Sequence, residues 1–135
     1  MKRPLSALLV LASGCGEISL AALTVPPPGK TALMETKDDH LTLEMSRGIA
    51  FAFECTSSGN SYNGPCREAT ATSDDEGIAA VYPSYLDSLD QAWEDGNGNL
   101  RARTAFVVVG LADGGTTVRV STSDGDVDVE LTVTP

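Results

Sequence analysis

Residues 116–133, "TTVRVSTSDGDVDVELTV", restrict the fold more than any other stretch of the chain. Apolar side chains recur there at every second position, first as Val118 and Val120, then as Val127, Val129, Leu131 and Val133. In an extended strand successive side chains point to opposite faces, so the pattern describes two strands, each with one buried and one solvated face. Asp124 and Gly125 between them suit a two-residue type I′ turn, which needs positive φ at both central positions. That turn predicts a register with Ser123 opposite Asp126, Thr122 opposite Val127, Val120 opposite Val129, Val118 opposite Leu131 and Arg119 opposite Glu130. A slip of one residue would bury acids, so pattern and register agree.

The same period runs through the chain from residue 31 onward. Leu41, Leu43 and Met45 share one face of "HLTLEMS", and Ile49, Phe51, Phe53 and Cys55 share one face of "GIAFAFECT". The "SRG" between them either closes a hairpin or hands the chain from one sheet to another. "EATATS" and "GIAAVYP" are further short strands, bounded by "SDDEG" and Pro83. Only "SYLDSLDQAWEDGNGN" departs from period two, with Leu86, Leu89 and Trp93 at helical spacing, Ser84 as the cap, Asp87 at the capping-box position and "GNG" as the stop. One short inserted helix is therefore expected, with Trp93 either on the core or on a contact surface.

The chain opens with Lys2 and Arg3, an apolar run from Leu5 to Ala12, and then "SGC". A spanning helix needs about 20 apolar residues, and this run is too short, so it reads as a secretory signal. "ASGC" resembles the lipobox of bacterial lipoproteins, in which the cysteine, here Cys15, is diacylated and becomes the mature N-terminus. Ala12 stands where that family prefers leucine. An ordinary signal cut after Ala21 or Ala22 and a plain N-terminal tail are the alternatives. Three cysteines leave an even pair, Cys55 and Cys66, once Cys15 carries lipid, which suits an oxidising compartment. The expected organisation is a signal peptide over 1–14, a lipidated cysteine and Pro-rich tether over 15–30, and one β-sandwich domain over 31–135. The alternative for the tether is a first strand in "ISLAALTV", with only "PPPG" irregular.

The formal charge is −10, and cleavage ahead of Cys15 would remove two cations and bring it to −12. A charge of that sign repels phosphate backbones, so no nucleic-acid partner is expected. A Cys55–Cys66 bridge would stabilise by about 3 kcal/mol on the loop-entropy model and would shape the intervening loop with Tyr62, with Arg67 beside it. Two cysteines and the distant His40 do not make a zinc site, and no metal or other cofactor is expected. Asp95, Asn97 and Asn99 alternate as calcium ligands do, but Leu100 and Phe106 stand where an EF-hand needs Gly and Glu. "TKDDHL" reads as a surface turn. No "GxSxG", "HExxH" or phosphate-binding glycine loop is present, and no catalytic residues are assigned.

The last third of the chain resembles the bacterial immunoglobulin-like, or BIG, domains. Val107–Val109, Gly110, Leu111, Ala112, Gly115, Thr117, Val118 and Val120 match that family's valine-rich strand, "GLA" corner, glycine turn and final Val/Thr hairpin. The match is good over 105–134, fair over 67–83 and weak before that. Two departures are the missing middle-strand tryptophan, with Ala71 in its place, and a longer 84–104 connection. The resemblance implies an all-β, immunoglobulin-like Greek-key sandwich of about seven strands, and it implies spacer, stalk or adhesive roles without catalysis. The expected function is a lipid-anchored envelope protein, exported and attached to a membrane, that contacts an envelope protein or a glycan. Tyr62, Tyr85, Trp93, Asp95, Asn97 and Asn99 form the candidate binding surface. A passive spacer is the alternative, and a small envelope hydrolase is the remaining one.

Overall fold

The computed structural model describes residues 17–59, 62–86, 93–94, 98 and 100–135. Among them are twelve strands and no helix. The first six are β1 (Glu17–Ala22), β2 (Ala32–Lys37), β3 (His40–Ser46), β4 (Ala50–Ser58), β5 (Asn63–Pro65) and β6 (Thr70–Ser73). The others are β7 (Ala79–Leu86), β8 (Trp93–Glu94), β9 (Leu100–Arg101), β10 (Arg103–Gly110), β11 (Gly114–Thr122) and β12 (Gly125–Thr134). Sheet I is ordered β1-β4-β10-β7, with β5 also paired to β4, and sheet II is ordered β2-β3-β12-β11-β6. β8 and β9 pair as a small separate ladder. All pairings are antiparallel except β12 with β3, which is parallel.

Period two now has a visible cause. Phe51 and Phe53 on β4 and Phe106 and Val108 on β10 turn inward from sheet I. Leu43, Met45, Val118, Val120, Val129, Leu131 and Val133 turn inward from sheet II, and all are essentially solvent-free. Burying each such side chain contributes roughly 1.5–3 kcal/mol, so this layer is the main source of stability. Phe53 and Phe106 sit at its centre, their rings 5.8 Å apart and tilted by 37°. The "SRG" connection is a handover rather than a hairpin, since β3 lies in sheet II and β4 in sheet I.

Three expectations are corrected. The β11–β12 hairpin is offset by two residues from the predicted register, with Ser121 opposite Asp126, Val120 opposite Val127, Val118 opposite Val129, and Arg119 opposite Asp128 rather than Glu130. A two-residue shift leaves every side chain on its original face, so the apolar pattern could not distinguish the two pairings. Local bonds decide between them. Ser123 and Asp124 form the loop without positive φ, and Gly125 alone takes φ +144°. The Thr122 hydroxyl accepts from the Asp124 N–H at 3.1 Å and donates to the Gly125 carbonyl at 2.9 Å. The two positive φ values of a type I′ turn occur instead at Asp38 (47°) and Asp39 (64°), in the turn between β2 and β3.

The second concerns residues 15–30, where the alternative of a first strand holds over Glu17–Ala22 in place of the tether. Residues 17–22 are strand β1, paired along β4 from Glu17 opposite Ser58 to Ala22 opposite Phe53, with Ile18 and Leu20 against the core. Pro26–Pro28 and Gly29 carry the chain from sheet I to sheet II, where a hydrogen bond from Lys30 N to Pro27 O (3.1 Å) and φ +77° at Gly29 make the turn. The third is the inserted helix. Ser84, expected as its cap, is a strand residue opposite Ala105, and Leu86 is opposite Arg103. Trp93 is likewise extended and pairs with Arg101. Backbone pairing of Ser84 and Leu86 to β10, and of Trp93 to β9, satisfies these residues without the cost of nucleating a short helix. Asp87 and Leu89 lie outside the described residues.

Two measurements test this register. Gly125→Val should lower stability by about 1–2 kcal/mol, because no side chain crowds the site and the cost is purely that of a β-branched residue at φ +144°; an unchanged melting temperature would contradict it. The Asp128 carboxyl, hydrogen-bonded by the Arg119 guanidinium, is held below the usual carboxylate range. Its contribution is fully present above the unfolded-state value and is lost as pH falls through the lower folded one. NMR titration should show the Asp128 carboxyl moving back up towards the ordinary carboxylate range in Arg119→Gln.

Candidate functional site

One end of the sandwich gathers Cys55, Cys66, Tyr62 and Arg67. Cys55, at 0 % exposure near the end of β4, is disulfide-bonded to Cys66, eleven positions later, across a Cα–Cα distance of 5.4 Å. The Cys66 N–H donates to the Cys55 carbonyl at 3.0 Å, so a backbone bond reinforces the covalent one. β5 then lies back along β4, with Ser58 opposite Asn63 and Thr56 opposite Pro65.

Arg67 and Asp124 join this loop to the β11–β12 turn. The Arg67 guanidinium stacks over the Tyr62 ring at 3.9 Å, and its Nη2 donates to Asp124 Oδ1 at 3.0 Å. Ser57, buried on the inner face of β4, donates its hydroxyl to Asp124 Oδ2 at 3.1 Å. The Ser123 N–H donates to the Arg67 carbonyl at 3.1 Å. Glu68 takes φ +52°, the sharp turn that brings the chain from this docking point into β6. The Tyr62 hydroxyl donates to the Pro65 carbonyl at 2.5 Å. Tyr62 is thus half-buried and engaged within its own loop rather than presented outward.

A shallow cleft of about 240 Å³ opens beside it, lined by Cys66, Glu68, Ala69, Pro83, Arg103 and Phe106 among others. Arg103 also forms an ion pair with Glu54 on the outer surface of sheet I, and both side chains are more than two-thirds covered. The turn between β2 and β3 reaches the same end, since Asp39 and Thr36 share a second cleft with Glu17, Ile18 and Val127. The opposite end holds the Arg47–Gly48 turn, bonded to Thr134 and Gly110, and the Ile78–Asp113 corner.

Of the other sequence candidates, Tyr85 and Trp93 have the backbone positions given above, whereas Cys15, Asp95, Asn97 and Asn99 lie outside the described residues. Among the described residues no group of three or more His, Cys, Asp or Glu side chains is placed to hold a metal ion. No described helix is long and apolar enough to cross a membrane. Asp124 was not foreseen as a site residue. Its signal was indirect, since a turn aspartate beside Gly125 suits either a type I′ turn or an acceptor for a distant donor.

The outer faces of the two sheets differ in character. Sheet II turns Glu35, Glu44, Asp126, Asp128 and Glu130 outward with Lys37 and Arg119. The Lys37 ammonium meets Glu35 at 2.9 Å and Glu44 at 3.7 Å, and Arg119 makes two hydrogen bonds to Asp128 at 2.8 and 3.2 Å. By register Ala50, Ala52, Ala80, Tyr82, Ala105, Val107 and Val109 share the outer side of sheet I, of which Ala80 and Ala105 are covered, with Glu54 and Arg103 neutralising each other at the margin. Tyr82 is 55 % exposed.

No family model matches the chain, and no curated protein does. Solved structures do match. Domains 4 and 5 of the S-layer protein SbsC align with 78% of this chain at 20% identity and a TM-score of 0.52. Domains 5–6 of the same protein align with 77% at 21% identity and a TM-score of 0.51. The chain spans less than half of either of those two structures, 48% and 45% respectively. The likeness is one of fold.

Replacing both Cys55 and Cys66 by alanine should lower unfolding free energy by about 3 kcal/mol, the cost of releasing a loop of this length. Denaturant melts under non-reducing conditions measure it, and a loss below about 1 kcal/mol would show that the Arg67–Asp124 bridge holds the loop unaided.

Proposed function

We propose that the chain is a lipid-anchored protein of the bacterial cell envelope, whose single immunoglobulin-like Greek-key domain acts by presenting a contact surface to another envelope protein or a glycan rather than by catalysis. Strand order supports the fold assignment. β1, β4, β10 and β7 fall in the places of strands A, B, E and D of an immunoglobulin sandwich, and β6, β11 and β12 in those of C, F and G. This is the arrangement expected of a bacterial immunoglobulin-like domain. The S-layer protein domains of like fold make a cell-surface setting a natural one for this reading.

The observation that carries the anchoring is the position of β1. It begins at Glu17, two residues after Cys15, and lies along β4 with Leu20 opposite Cys55. Cleavage ahead of Cys15 leaves that strand whole. A signal cut after Ala21 or Ala22 would delete it, uncovering the edge of β4 and the apolar side chains beneath. Of the two cleavage readings, the one ahead of Cys15 keeps the sandwich whole, which supports the lipidated cysteine over an ordinary signal.

The same geometry sets orientation. A lipid on Cys15 brings the end of the sandwich bearing Glu17, the disulfide loop and the Ser123–Asp124 turn toward the bilayer. The Arg47–Gly48 end and the two sheet faces remain available for partners. Sheet I, apolar and nearly uncharged, favours a contact role over that of a passive spacer, for which a uniformly acidic surface would suffice.

Cys15→Ser tests the anchor. Wild-type protein should enter the detergent phase on phase partitioning and incorporate a palmitate label, and the variant should do neither while keeping its melting temperature. Equal partitioning of the two would overturn the assignment.

A further inference from the structure

Sheet I is composed as though both of its faces were covered. A strand with one face in water alternates apolar and polar residues, as β12 does in "DVDVELTV"; a strand covered on both faces reads as a continuous apolar run. β10 carries "AFVVVG", β4 begins "AFAF" and β7 begins "AAVY". Half of each run fills the core, and the other half forms the outer surface. That surface has two central rows, Ala52–Val107–Tyr82 and Ala50–Val109–Ala80, set by the pairing of β10 with β4 and β7, with Ala80 at the end of the second row already covered. Nothing charged interrupts either row.

We propose that this face packs against the same face of a second copy of the chain. Charge chooses the occupant. The chain carries a formal charge of −10, and five acids against two cations point outward from sheet II, so most approaches between two copies bring like charges together. Facing their I sheets directs both acidic surfaces away from the contact, and the Glu54–Arg103 pair at the margin adds no net charge.

Shape supplies the geometry. The row Ala52–Val107–Tyr82 runs from small through medium to large across the sheet. A two-fold axis running along β10 above Val107 places each Tyr82 over the partner's Ala52, so the protruding ring fills the space left by a methyl group. An isologous contact requires this kind of self-complementarity. Four strands at their usual spacing over five or six residues give about 400 Å² per copy. The buried total then lies at the low end for specific interfaces, and the association is weak in dilute solution. Confinement to one surface raises the effective concentration and makes weak contacts sufficient. The inference goes beyond the anchoring reading and holds for unlipidated protein.

The full chain carrying Cys15→Ser is the material for the test, which separates it from any failure of lipidation. Sedimentation equilibrium from about 10 μM to 1 mM should show reversible dimerisation. Tyr82→Glu, at a largely exposed position, should weaken it at least tenfold with an unchanged melting temperature, and Thr132→Glu on sheet II should leave it unchanged. For geometry, Tyr82→Cys mixed with Ala52→Cys should give an intermolecular disulfide that neither variant gives alone. Monomer at every concentration would leave the face to some other protein and overturn the proposal, as would dimerisation indifferent to Tyr82→Glu. Self-cross-linking of Tyr82→Cys would overturn the axis along β10.

Discussion

The single apolar layer between the sheets is what the rest of the molecule depends on. Phe51, Phe53 and Phe106 from one side meet Val118, Val120, Val129, Leu131 and Val133 from the other, in a chain with few other large side chains to bury. All three phenylalanines of the chain lie in this layer. Alternation in β3, β4, β11 and β12 follows from the need to fill that layer, and so does the handover at Arg47–Gly48, which lets consecutive strands contribute to opposite sides of it.

The faces of these strands were legible in the sequence, because period two assigns each side chain inward or outward without reference to a partner. Pairing was less so. The offset of the β11–β12 hairpin shows where the information stops: two registers that differ by two residues bury the same valines, and the choice rests on Asp124, whose partners Ser57 and Arg67 are 67 and 57 positions away. A turn residue chosen by distant donors cannot be read from its neighbours.

A similar reason separates what was and was not legible at the loop end. The Cys55–Cys66 pair followed from parity, and "TKDDHL" as a surface turn followed from composition. Ser84 and Leu86, by contrast, fitted a helical pattern whose period three or four is satisfied by many short segments, while their strand partners Ala105 and Arg103 lie about twenty residues on. Glu17–Ala22 carried an ambiguous signal too, its apolar residues serving equally as the flank of a leader or as an edge strand. Tertiary pairing resolved both in favour of strand, at positions where local propensity is weak.

Strand β12 has a consequence for the order of events when the chain is made. It lies at the centre of sheet II, between β3 and β11, and its partner β3 is more than eighty residues earlier. Until residue 134 is available, β2 and β3 have no neighbour to join them to β11, and three buried side chains of the core, Val129, Leu131 and Val133, are missing. A nascent chain therefore cannot close its sandwich early. Contacts so distant in sequence make folding slow and late, so the sandwich closes only once its last strand has been made.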